Sequence, residues 1–250
     1  MTCILVAEPK WTGHHAPAAR RCAELLVGPG RRVVLSLAAA APEQTQGTIE
    51  SALAGLDPRI AVRRSLSRPE RGWSSLSVAD GLVEADVLAD ELATVRPDLL
   101  VLPTADAVAL ACGSRSTPAT RALRAAQPSG VVHQVRLGYG GNGLRWALER
   151  ERVRWALWRS GLRLAAVDPR TARSGRRLGL QYLPYPGPTG ELPDRASARR
   201  HLGLPEGARV VVCLGEHGLR KGTDRVVRCW PADSEAILLV VGSCADAVRQ

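Results

Sequence analysis

Short, uninterrupted apolar runs recur along this chain, and helix-length amphipathic segments fill the intervals between them. Cys3–Ala7 (CILVA), Arg32–Leu37 (RVVLSL), Leu99–Leu102, Gly130–His133, Ala208–Leu214 (ARVVVCL) and Ile237–Val241 (ILLVV) are the clearest of these runs. A strand that is apolar on both faces needs cover on both faces, which a parallel sheet with helical crossovers supplies. Between the runs, the spacing predicts helices over His15–Val27, Glu43–Leu56, Val78–Val95 and Thr117–Ala126. Weaker strands are expected at Ile60–Val62, Leu162–Val167 and Leu178–Leu183. The expected fold is therefore α/β, with strands and helices in alternation.

The texture breaks at residues 184–193, where four prolines and two glycines fall within ten residues and read as a linker. Residues 1–183 then form a complete Rossmann-like lobe. Residues 194–250 restart the alternation with a helix over Asp194–Leu202, a strand, the glycine-bounded loop Gly215–Gly222, a helix over Thr223–Trp230 and a second strand. Two strands in 57 residues fall short of the five or six of a doubly wound lobe. The second lobe is expected to be incomplete, as though the chain were truncated within it. An unfinished sheet predicts an open edge at Ile237–Val241 and a tendency toward self-association.

Composition narrows the class. An apolar share of 45% and a charged share of 23% exclude a disordered chain. No run approaches the roughly 20 apolar residues of a membrane span, and the N-terminus lacks the basic start of a signal peptide, so a cytoplasmic protein is expected. Six cysteines stand without a CxxC pair or a histidine at ligand spacing, so no metal is expected. The formal charge of +10 rests on 34 basic residues, of which Lys10 and Lys221 are the only lysines. Eleven arginines against three acids lie within residues 135–178, a concentration that favours an anionic partner.

Within that basic stretch, residues 144–158 carry two apolar arcs on a helical wheel. Leu144, Leu148, Trp155 and Trp158 share one, and Trp146, Val153 and Leu157 lie nearly opposite. The simpler reading clamps this helix between two layers of one core. The alternative gives one arc and its arginines to an anionic membrane surface or a second chain. An aromatic content of 4% and the lack of a recognised motif argue against nucleic acid.

Three constellations are candidates for chemistry. Thr12-Gly13-His14-His15 follows the first strand and opens a helix, which suits a ligand approaching backbone N–H groups and equally suits a plain strand–helix turn. Gly215-Glu216-His217-Gly218-Leu219-Arg220-Lys221-Gly222 lies between a buried strand and a helix, and places a guanidinium beside one of the two lysines. That pairing suits a diphosphate, with a solvated basic turn as the competing reading. His133 and Asp106 fall at the carboxyl ends of neighbouring strands, the edge where open α/β sheets bind ligands, although a structural histidine and aspartate would also fit.

Arg195–Pro205 (RASARRHLGLP), Arg209–Gly215 (RVVVCLG) and Arg220–Asp224 (RKGTD) together resemble the start of the C-terminal lobe of family-four glycosyltransferases of the GT-B fold. The upstream order is similar to that family's N-terminal lobe: a GH loop, a PDLLVLP strand, a strand ending in His133 and a proline linker. The resemblance implies a GT-B-like protein that transfers a hexose-type sugar from a nucleotide-diphosphate sugar, with retention and without a metal or other cofactor. On matching positions, Arg220 and Lys221 would stabilise the departing diphosphate and His133 would lie beside the transferred sugar. Gly13, His14, Asp106, Gly215 and Glu216 would contact substrate. Glu216 stands where many members carry an arginine. The acceptor, lipid-linked or a glycan, would bind the N-terminal lobe. The family's paired-glutamate motif lies downstream of this sequence, so impaired activity is expected. The alternative is a non-catalytic binding module or a membrane-surface partner of another transferase.

Overall fold

The computed structural model describes residues 1–10, 15–39, 49–67, 77–133, 144–184, 193–215 and 222–242. The chain divides into two compact units, Met1–Tyr185 and Pro186–Gln250.

The first unit is built on seven parallel strands: β1 (Thr2–Glu8), β2 (Arg31–Ala38), β3 (Ile60–Leu66), β4 (Leu99–Leu102), β5 (Ser129–Val132), β6 (Arg163–Ala166) and β7 (Gln181–Tyr182). Their spatial order is β3-β2-β1-β4-β5-β6-β7. The helices are α1 (His15–Leu26), α2 (Val78–Val95), α3 (Asp106–Ser114), α4 (Pro118–Ala126), α5 (Leu144–Arg159) and α6 (Pro169–Ser174). Residues 49–53 are also helical. Alternate residues of β1 serve different cores. Leu5 and Ala7 join the cluster with Leu100, Leu102, Leu88 and Val108, whereas Val6 joins Leu35, Leu37, Ala19 and Ile49 on the other face. Burial on both faces is why CILVA is apolar without alternation.

Helix ends are fixed by local chemistry. Ser77 accepts the Asp80 N–H at the start of α2, and Thr117 and Thr120 form a reciprocal capping box before α4. β3 runs four residues beyond the expected Ile60–Val62 because its two arginines find partners. Arg63 binds Glu91, and Arg64 donates to the Ala38 carbonyl.

Three other expectations are corrected. Helix α3 (DAVALACGS) was not expected; it is buried along nearly its whole length, so it lacks the polar stripe that makes a 3.6-residue period visible. The strand expected over Leu178–Leu183 shrinks to Gln181–Tyr182, because Arg176–Leu178 forms a 3-10 turn closed by Gly179 at φ 79°. Helix α5 is not clamped between two layers. Ala156 and Leu157 are buried, but Leu148, Trp155 and Trp158 are 58%, 49% and 67% exposed.

The second unit contains α7 (Arg195–His201), β8 (Val210–Leu214), α8 (Thr223–Arg228) and β9 (Ile237–Val241). Asp194 caps α7 by accepting the Ser197 N–H. β8 and β9 pair in parallel from Val210↔Ile237 to Leu214↔Val241. The buried strand expected at Ala208–Leu214 is corrected: Val211, Val212 and Leu214, with Val240 and Val241, remain exposed because a two-stranded sheet with two short helices leaves its faces uncovered.

Candidate functional site

In the first unit the chain leaves β1 toward β2 and β3 on one side, then returns to build β4 through β7 on the other. The carboxyl ends of β1 and β4 flank this reversal, the usual ligand position in an open parallel sheet. Charged and polar side chains collect at this reversal.

Glu8, the last residue of β1, is fully buried, and one of its oxygens accepts the Lys10 N–H at 3.1 Å. Its other oxygen, Oε2, makes no hydrogen bond to a described residue and stands 3.6 Å from Nδ1 of His15. The same His15 nitrogen lies 2.9 Å from the Thr104 hydroxyl in the turn after β4. The Lys10 ammonium is 3.5 Å from Oε1 of Glu84 on α2, and both side chains are buried. Buried charges persist only when paired, and the carboxyl edge at a strand reversal is where open parallel sheets bind ligands.

One strand further, Asp106 and His133 meet. Asp106, the first residue of α3, is buried, and both its oxygens accept the His133 main-chain N–H at 3.0 Å. The His133 ring nitrogen Nε2 lies 2.9 Å from the Pro103 carbonyl oxygen. A carbonyl only accepts, so Nε2 carries the proton of this bond. Gly130 makes the meeting geometrically feasible: a Cβ there would lie 2.5 Å from the Ala105 Cβ. Without a side chain at 130, the turn after β4 settles onto β5, and Ala105 donates its N–H to the Val131 carbonyl at 2.8 Å.

Of the residues singled out from sequence, Asp106 and His133 are thus in direct contact. Gly215 lies in the second unit just beyond β8, with φ 117°, and donates its N–H to the Val241 carbonyl. Gly242 follows β9 at φ 138°, and a Cβ on it would fall 1.8 Å from the Gly215 carbonyl oxygen. The two strand ends are packed backbone to backbone. Gly13, His14, Glu216, Arg220 and Lys221 lie outside the described residues.

Sequence reasoning singled out His15 in the Thr12–His15 motif but missed Glu8, Lys10, Thr104 and Glu84, the residues grouped around it. The available signal was the rarity of lysine together with an acid ending a buried apolar run. A cavity of about 650 Å³ on the sheet face that carries α1, bordered by Leu26, Val101, Val131, Ala165 and Leu183, is lined by none of these polar side chains. Among the described residues no three His, Cys, Asp or Glu side chains converge as a metal site. No described helix is long and apolar enough to cross a membrane.

No protein-family model matches the chain, and no curated protein matches its sequence. Solved structures do match its fold. Phytolacca americana UGT2, solved with UDP-2fluoro-glucose and pterostilbene, aligns with a TM-score of 0.51 at 12% identity, covering 98% of this chain and 72% of its own. A Polygonum tinctorium UDP-glucosyltransferase capable of glucosylating indoxyl aligns with a TM-score of 0.52 at 13% identity, covering 96% of this chain and 65% of its own. The chain thus spans about two-thirds to three-quarters of the length of these proteins. It is an α/β protein with a GT-B-like fold.

Proposed function

We propose that this chain belongs to a glycosyltransferase that takes its sugar from a nucleotide-diphosphate donor, of which a UDP-hexose is the first to test. One observation carries the reading. At the carboxyl edge of a GT-B-like sheet, Asp106 holds His133 one strand from the reversal, at which Glu8, Lys10, His15 and Glu84 are buried. The fold shared with two sugar-nucleotide enzymes supports it.

In this reading the acceptor, lipid-linked or a glycan, enters at the first unit, and His133 lines the position of the transferred sugar. Arg220 and Lys221, between the strand-end Gly215 and the helix cap Gly222, neutralise charge on the leaving diphosphate. Such fixed positive charge favours the transition state because negative charge grows on the departing oxygen there. Gly13, His14 and Glu216 complete the substrate contacts. The transfer is of the retaining, metal-independent, family-four kind. The exposed valines of β8 and β9 provide a surface for self-association.

Calorimetric titration with UDP and GDP tests the proposal. Micromolar binding of one nucleotide, abolished by Lys221→Ala and preserved in Arg225→Ala, is the expected result. Absence of binding to either nucleotide would leave the non-catalytic module as the better reading.

A further inference from the structure

The exposed face of α5 has a composition that water alone does not explain. With about 100° between successive helical residues, Leu148, Trp155 and Trp158 fall within an arc of about 80°. That arc points away from the buried Ala156, Leu157 and Ser160. Arg152 and Arg159 border it on one side, and Arg154 on the other. The Arg159 guanidinium stacks over the Trp155 ring at 4.5 Å, and Arg154 neutralises Glu151, the acid within the arc, at 2.7 Å. The turn carrying the exposed Arg176 and Arg177 packs beside the same helix.

We propose that this face docks on a lipid bilayer bearing anionic headgroups. Indole rings favour the headgroup boundary, where the ring body is in apolar surroundings and the N–H meets water. Arginines on both flanks reach outward to lipid phosphates while their stems lie along the apolar strip. The helix would lie in the membrane plane, about 24 Å long at 1.5 Å per residue. A second copy fits this face less well. Two-fold pairing would bring the arginine flanks together, and three apolar side chains are too few for the roughly 1,200 Å² of a stable interface. The docking face is separate from the strand-end site, so it stands whether or not the transferase reading does.

Flotation of the full chain with phosphatidylcholine vesicles, with and without phosphatidylglycerol, is the test. The chain should float only with the anionic vesicles and be released by high salt. Trp155→Ser/Trp158→Ser should weaken binding at least about tenfold, since two rings leave the interface. Arg152→Gln/Arg159→Gln should weaken it by about fivefold per arginine removed. Circular dichroism of each variant should match the parent, because these side chains are exposed. The proposal is overturned if the parent ignores anionic vesicles, or if both variants bind as the parent does. It is overturned equally if sedimentation shows an oligomer that the tryptophan variant dissolves, which would assign the face to a second copy.

Discussion

The Asp106 carboxylate takes the His133 main-chain N–H on both of its oxygens, tying the start of α3 to the end of β5. Removing that acceptor strands a donor at the carboxyl edge. It also deletes a negative charge from the first turn of a helix, where the helix dipole favours one. Asp106→Ala should therefore cost about 2 kcal/mol, within the range for an orphaned buried partner, and Asp106→Asn about half as much. Urea denaturation of the two variants against the parent measures the difference. Equal midpoints for all three proteins would mean that this contact contributes nothing.

Lys10 and Glu84 form a buried ion pair across 74 residues of sequence. Breaking such a pair leaves an uncompensated charge, whereas removing both partners need not. Lys10→Met should cost about 3–5 kcal/mol, and the double variant Lys10→Met/Glu84→Gln should cost less than the sum of its singles. A double-mutant cycle in chemical denaturation gives the coupling directly, and additivity of the two changes would show that the pair is not coupled.

Much of this architecture could be read from residues alone, for a physical reason. Strands such as CILVA and RVVLSL are buried on both faces, so their apolar runs are unbroken and easily seen. Helix α2 was visible in its amphipathic spacing over Val78–Val95, and the structure adds the Ser77–Asp80 cap at its start. Helix α3 could not be seen, because burial all round erases the contrast between faces on which periodicity depends. The choice between the two arcs of α5 was also hidden, since both are apolar and only packing decides which is covered. At the site, Asp106 and His133 were legible from their positions at strand ends. His15 was legible as part of the Thr12–His15 motif, but its partners Glu8 and Thr104 and the Lys10–Glu84 pair were not, because their proximity depends on the strand order rather than on any local spacing.

Glu91 joins β2, β3 and α2. Burial pushes its carboxyl up, but hydrogen bonds from Arg63 at 2.7 Å and Ser36 at 2.6 Å outweigh this and hold it below the ordinary value of 4.5. The folded state therefore releases this proton more readily than the unfolded chain. Its contribution to stability is present above about pH 4.5 and is lost as the pH falls through the lowered folded value. Glu91→Gln should be less stable than the parent near neutrality, with the gap closing on acidification. Denaturation midpoints across an acid series check this, and a constant gap would contradict it.

The cysteines should separate by reactivity. Burial pushes the Cys112 thiol up to about 11, only partly offset by nearby Arg124, while Cys229 is exposed. The thiolate is the reacting form, so Cys112 is protected twice, by access and by protonation. Under native conditions a maleimide should label Cys229 rapidly and reach Cys112 only on unfolding. Peptide mapping after timed labelling distinguishes them. Comparable rates at the two positions would mean that the α3 layer opens readily.

Gly113 offers the sharpest test of the α3–α5 contact. A Cβ at this position would lie 1.8 Å from the Ala156 carbonyl oxygen, and main chain cannot swing aside as a side-chain tip can. Alanine normally favours a helix over glycine by about 1 kcal/mol, so intrinsic propensity predicts that Gly113→Ala is stabilising. Packing predicts the reverse: the two helices must part, at a cost of about 3 kcal/mol or more, the upper range for an overfilled core. Gly207 has no atom within 4 Å of its own added Cβ, so Gly207→Ala serves as the control and should be neutral or slightly stabilising. Thermal unfolding followed by circular dichroism separates these outcomes. A Gly113→Ala protein as stable as the Gly207→Ala control would show that α3 and α5 do not approach this closely in solution.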